Sequence, residues 1–239
     1  MKIEHEHGRE AIAKRLSQGP KPSYVRDFVY GGIDGTITTF AIVAGVVGAS
    51  LSTNVVLILG VANLLADGFS MAASNYSGTK TALDDLRRVR EIEKRHTRHN
   101  PEGEKEEVRQ ILAQKGLKGG TLEEAVSAIS SREKTWIDFM LVEEYGLLLK
   151  QPSPFWAGFV TFVAFLICGA VPLLPFLFGM QSNFTVSVVM TGCVFYLIGA
   201  IKSKWATTAW WRSGFETLFI GGAAAAIAYS VGYFLRSLA

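Results

Sequence analysis

Cysteine is scarce in this chain of 239 residues: Cys168 and Cys193 are the only two. Both fall in apolar stretches without Cys-x-x-Cys spacing, so neither a disulfide framework nor a zinc ribbon is implied. Net charge is small, at +3, and no run of Lys and Arg is interleaved with aromatics, which sets nucleic acid aside as a partner. Charged residues of either sign are thin, 19% against 49% apolar, and mean hydropathy is +0.25. That apolar excess is too large for an ordinary soluble domain. The first 27 residues are polar and charged, which does not fit a cleavable signal peptide.

The charges that exist are gathered in one place. Residues 77–153 hold 14 basic and 14 acidic side chains, while the flanking regions contain long stretches with almost none. A spanning helix needs about 20 mostly apolar residues, and five stretches qualify. Phe28 to Ala49 holds one charge, Asp34; Asn54 to Tyr76 holds one, Asp67; Phe155 to Met180 and Phe184 to Ile201 hold none; Phe215 to Leu235 holds only Glu216. Six Lys and Arg precede the first stretch, 14 lie in residues 77–153, three lie between the fourth and fifth, and Arg236 alone follows the fifth. By the positive-inside rule the N-terminus, the large loop and the Lys202 to Arg212 link face the cytoplasm, and the C-terminus lies outside.

Within the loop, Asp84 to Arg98 continues the second span without a breaker until Asn100-Pro101. Glu102 to Lys115 carries Val108, Ile111 and Leu112 at helical spacing and ends at Gly116. Thr121 with Glu124, and Ser130 with Glu133, have capping-box spacing and predict two further helix starts. The last helix is expected to run through Trp136, Phe139, Met140 and Tyr145 to Leu149. The expected fold is an all-α integral membrane protein of five transmembrane helices, with a cytoplasmic helical bundle inserted between the second and third spans. Its domains are a tail of residues 1–27, two spans in 28–76, the bundle in 77–153 and three spans in 154–239.

An acidic side chain at mid-membrane costs roughly 2.5 to 3.5 kcal/mol on insertion scales, which makes Asp34 and Asp67 functional candidates. Asn63, Asp67 and Met71 are four residues apart and project from one helix face, with Ser70 and Ser74 beside them; Asp34 and Thr38 share a face of the first span. The structural alternative is that the aspartates cap a broken helix or pair with Arg26, Lys80 or backbone groups near the cytoplasmic interface. A thioether beside a carboxylate suits a transition metal better than Mg²⁺ or Ca²⁺. In the bundle, Glu93 with His96, Glu104 with Glu107, and Met140 with Glu144 each share a face and are candidate metal ligands. The competing reading is that Glu-rich helices are solvated faces, and His99 is read the same way. The segment Glu4-His5-Glu6-His7 resembles a metal-catching tail but is short, and is expected to be disordered.

Four separated motifs then resemble the vacuolar iron transporter family. They are Tyr30-Gly31-Gly32-Ile33-Asp34-Gly35-Thr36 with Phe40 to Gly45, Ala62-Asn63 to Ala72 with Tyr76, Asp138-Phe139-Met140, and Val171-Pro172-Leu173-Leu174-Pro175. The resemblance runs from about Val25 to Leu235. It implies a secondary transporter rather than an enzyme: a homodimer with its path at the dimer interface, exporting cytosolic Fe²⁺ and related divalent ions in exchange for protons. It implies that the loop is a metal-binding domain, that Asp34 and Met71 match a pore aspartate and methionine, and that Glu104, Glu107, Met140 and Glu144 match metal-domain ligands. The family's plant-type pore has a glutamate where this chain has Asn63, with Asp67 one turn along; a family Glu-x-x-Glu pair corresponds here to Glu93 with His96. The small residues Gly31, Gly35, Ala41 and Gly45 offer the dimer its only support from the residues themselves.

The resulting expectation is capture of Fe²⁺ or Mn²⁺ by the bundle, transfer to Asp34, Asp67 and Met71, and release on protonation from the far side. Membrane lipid, divalent ions, protons and a second copy are the expected partners. No cofactor is tightly bound, and Fe²⁺, Mn²⁺ or Zn²⁺ enter as transported or regulatory ions. A bacterial plasma membrane is favoured over an organelle. The alternative is a membrane-anchored storage or sensing protein whose bundle binds iron without transport.

Overall fold

The computed structural model describes residues 6–19 and 22–236, and every regular element among them is helical. In chain order these are α1 (Arg9–Gln18), α2 (Val25–Gly48), α3 (Thr53–His99), α4 (Pro101–Gln114), α5 (Gly119–Ser130), α6 (Glu133–Glu143), α7 (Pro154–Ala170), α8 (Leu174–Leu177), α9 (Asn183–Lys202) and α10 (Trp210–Leu235). Glu4 and His5 of the tail lie outside the described residues.

Five segments are long and apolar enough to cross a membrane: Val25–Gly48, Thr53–His99, Pro154–Leu177, Asn183–Trp205 and Trp210–Leu235. The first begins at Val25 rather than Phe28, which brings Asp27 inside it. The second runs unbroken for 47 residues, as the lack of a breaker predicts. At 1.5 Å per residue that is about 70 Å, more than twice a hydrocarbon core. The third is interrupted by a 3₁₀ turn, Val171–Leu173, where Pro172 and Pro175 remove backbone donors.

The chain divides into two compact units, one formed by Thr79–Pro152 with the described residues up to Pro22, the other by Ser23–Gly78 with the chain from Ser153 onward. In the second unit α2 packs against α7, α9 and α10. Its core gathers Phe40, Val43, Val46, Val56, Leu64, Phe165, Leu173 and Phe176. The glycines of α2 allow this: a Cβ on Gly35 would lie 2.5 Å from the Phe165 carbonyl oxygen, and one on Gly169 would lie 2.7 Å from that of Gly35. Gly31 meets the Thr161 backbone in the same way. The small-residue stripe of the first span is thus used within the chain, and it no longer speaks for a second copy.

A buried polar knot joins three of these helices. Asp27 is 2% exposed; its Oδ1 accepts from Asn75 Nδ2 at 2.8 Å, and the same amide nitrogen reaches Thr161 Oγ1 at 2.7 Å and the Ala157 carbonyl at 3.3 Å. An unpaired amide in such a place would cost free energy comparable to a lost hydrogen bond, so the knot fixes the mutual register of α2, α3 and α7.

In the other unit, Val108, Leu112, Val126, Trp136 and Met140 form one apolar cluster, and Leu86, Val89, Ile137 and Leu141 form a second. Asn100 caps α4, its side chain accepting from the Gly103 N–H at 3.2 Å, with Pro101 in the first turn. Two expected helix starts are corrected. α5 begins at Gly119, ahead of Thr121, and Ser130 is the last residue of α5 rather than the cap of α6. α6 also stops at Glu143, short of Leu149: Gly146 turns the chain at φ +64° and the Leu147 N–H reaches back to the Leu141 carbonyl at 2.8 Å.

Candidate functional site

Two sets of polar side chains stand out, one in each unit. In the membrane unit, Asn63 Nδ2 donates to Thr38 Oγ1 at 3.2 Å and lies 3.5 Å from Thr39 Oγ1. With Asn75 on Asp27, this fixes an antiparallel register in which residue 34 of α2 stands level with residue 67 of α3, and Met71 with the glycines at 31 and 32. Asp34 is half-buried and Asp67 exposed, and they are close enough for their charges to repel. Thr38 Oγ1 donates to the Asp34 carbonyl at 2.9 Å, extending the same polar face. Met71 is partly buried against the apolar core. Among the described residues neither aspartate forms an ion pair: Arg26 lies over the Tyr30 ring at 6.0 Å. The Arg26 and Lys80 pairings of the structural alternative are not formed among the described residues.

In the other unit, Glu93 and His96 lie one turn apart on α3, and the Asn100-Pro101 turn brings Glu104, in the first turn of α4, beside them. One ligand atom from each lies within 4.8 Å of the others. His96 Nδ1 is 3.3 Å from Glu104 Oε1 and 3.7 Å from Glu93 Oε1. Glu93 is 0% and Glu104 5% exposed, and the Oε2 atom of each is buried with no partner. Buried unpaired carboxylate oxygens are expensive, and such groups are normally paired or metal-bound. Two carboxylates and an imidazole fit a first-row transition metal.

The surroundings confirm that this set differs from the other acids of the bundle. Several of those pair with cations: Glu106 and Glu123 with Arg109, Glu133 with Arg98, Asp138 with Arg90 at 2.7 Å, Glu143 with Lys115 at 2.5 Å. The solvated-face reading suits the exposed acids among them and does not describe Glu93 and Glu104, which are buried. Burial, then the negative charges of Glu93, Glu107 and Glu144, pushes the Glu104 carboxyl up to about 8. Burial first, then Glu107 and Glu93, also raises Glu144. Glu107 and Glu144 are thus electrostatic neighbours of the tight set, both exposed. Met140 is 0% exposed and its side chain belongs to the apolar cluster of Val108 and Trp136.

Tyr145 is a member of the set that sequence reasoning missed as a functional residue. Its hydroxyl donates to Glu93 Oε1 at 3.0 Å. The signal in the sequence was slight: a phenol next to Glu144, in a stretch expected to be plain helix.

The chain is similar in sequence to known proteins. The profile of the VIT family matches residues 25–233. The vacuolar iron transporter of Toxoplasma gondii is 33% identical over 225 residues, covering 89% of this chain and 74% of the relative. Vacuolar iron transporter 1 of Arabidopsis thaliana is 34% identical over 210 residues, covering 86% and 83%. Vacuolar iron transporter 2 of Oryza sativa subsp. japonica is 31% identical over 220 residues, covering 90% and 88%.

Proposed function

The chain belongs to the VIT family, an integral membrane family of transporters rather than enzymes, and from that premise we propose that it moves a divalent transition metal, Fe²⁺ or Mn²⁺, out of the cytoplasm in exchange for protons. The observation that carries this reading is the Asp34–Asp67 pair: two acids at one level of the α2–α3 register on apolar spans, with no ion pair to either among the described residues. Intramembrane acids of this kind mark ion and proton paths. Met71 and Asn63 extend the pair along the α2–α3 register with a thioether, the soft member of a transition-metal donor set, and a hard amide oxygen.

In this reading the Thr79–Pro152 unit faces the cytoplasm, as its charge and the positive-inside rule suggest. Glu93, His96 and Glu104 collect the ion there, helped by the charges of Glu107 and Glu144. Asp34 and Asp67 take it within the membrane, and a proton arriving from the far side displaces it. Carboxylates that bind either a cation or a proton couple the two without a moving cofactor. A second copy of the chain completes the path along the exposed face of α3.

The test is flux into proteoliposomes holding the purified protein, with Fe²⁺, Mn²⁺ and Zn²⁺ offered in turn, a pH dye inside and an imposed proton gradient. Gradient-driven metal movement with counterflow of protons is expected for the wild type, and Asp34→Asn should insert normally yet lose transport. Metal binding without flux would move the protein to the storage or sensing class.

A further inference from the structure

The Glu93 carboxylate is held asymmetrically. Its Oε1 accepts the Tyr145 hydroxyl at 3.0 Å and lies 3.7 Å from His96 Nδ1, while Oε2 is buried without a partner. Glu104 repeats the pattern, with Oε1 3.3 Å from His96 Nδ1 and Oε2 unpartnered. Resting on the reading of this set as a metal centre, we propose that Tyr145 is a positioning residue that sets the selectivity of the centre, by keeping Glu93 Oε1 as a hydrogen-bond acceptor so that Glu93 offers the ion one oxygen, Oε2, rather than two.

The consequence follows from coordination chemistry. Ca²⁺ takes six to eight oxygen ligands and gains from a carboxylate that binds through both oxygens. Fe²⁺, Mn²⁺, Co²⁺ and Zn²⁺ are smaller, take fewer ligands and accept imidazole readily. A Glu93 pinned to one-oxygen binding, beside His96, therefore favours the second group and withholds from Ca²⁺ the two-oxygen clamp that Glu93 would otherwise supply. Tyr145 is suited to this because it comes from outside the helices that carry the ligands. It sits just past the end of α6, while Glu93 and His96 are on α3 and Glu104 on α4. The turn at Gly146 and the Leu147–Leu141 hydrogen bond end α6 there, placing the phenol over the α3 carboxylate instead of continuing a helix away from it. Tyr145 is 39% exposed, and Tyr145→Phe removes only the hydroxyl.

The test compares full-length wild type, Tyr145→Phe and Glu93→Gln in detergent, measuring Co²⁺ and Ca²⁺ affinity by calorimetry and the visible spectrum of bound Co²⁺. Outer-shell partners of metal ligands typically contribute 10–100-fold. Tyr145→Phe should lose about 10-fold or more in Co²⁺ affinity, hold or gain in Ca²⁺ affinity, and alter the Co²⁺ spectrum as Glu93 turns to two-oxygen binding. Glu93→Gln should weaken both ions. If Tyr145→Phe keeps the wild-type Co²⁺ to Ca²⁺ ratio, through no change or an equal loss of both, the role of Tyr145 is overturned while the metal centre stands. If wild-type Co²⁺ binding is indifferent to Glu93→Gln, the metal centre falls and the selectivity role with it.

Discussion

Glu104 shows how much chemistry one side chain acquires from its neighbours. Its ordinary value is 4.5, and burial with three nearby carboxylates raises it to about 8. A carboxyl raised in the folded state contributes stability that is fully present below 4.5 and is lost as pH rises through about 8. The metal-free protein should therefore melt at a lower temperature at pH 8.5 than at pH 6. Mn²⁺ should raise the melting temperature more at pH 8.5, because at pH 6 it must first displace a proton. Equal Mn²⁺ shifts at both pH values would show that Glu104 does not meet the ion. The candidates Asp34, Asp67, Glu93, His96 and Glu104 were legible because acids in a membrane stretch and pairs at helical spacing are visible in one dimension. Tyr145 was not, because its hydrogen bond to Glu93 spans 52 residues of sequence. What spacing does not show is the environment: Glu104 is buried beside His96, whereas Glu106 is exposed on Arg109.

Among the elements, α3 was read well and α5 and α6 less so. Apolar residues in the first half of α3, helix-compatible charged residues in its second, and no proline until Pro101 carry a 47-residue helix through to His99, across Gly60, Gly68 and Gly78. Capping-box spacing failed at Thr121 and Ser130 because a four-residue pattern recurs by chance in polar loops, while the glycines at 119 and 120 admit an earlier start. The reach of α6 is shorter than expected because the chain turns at Gly146 with positive φ. Where helices meet, small residues decide the fit. Gly35→Val would drive its side chain into the α7 backbone at Phe165, and overpacking of this kind typically costs about 1–3 kcal/mol. Thermal unfolding in detergent should show that loss. The corresponding change at Gly222, which has open space around it, should leave the melting temperature within a degree or two of wild type, since surface substitutions typically stay within about 0.5 kcal/mol.

For the whole molecule, composition alone separates a membrane part from a charged part, and the five spans follow from counting apolar residues. What composition cannot show is which helices the polar residues tie together. Asp27 stood one residue before the expected span, and Asn75 was one amide among many until α7 supplied Thr161 and Ala157 to it. That knot sets a timetable for biogenesis. The two spans carrying Asp27 and Asn75 enter the membrane early, yet the Thr161 and Ala157 acceptors of Asn75 lie 86 and 82 residues downstream. At 5–20 residues per second the ribosome needs about 4 to 17 seconds to reach them, and it makes the entire charged unit in the interval. The first two spans must wait in the lipid as an unfinished hairpin, with an amide whose α7 partners do not yet exist. A chain truncated after Pro152 should therefore be cleared by membrane quality control faster than full-length protein in a pulse-chase, and Asn75→Leu in that truncated chain should slow its clearance while weakening the complete protein.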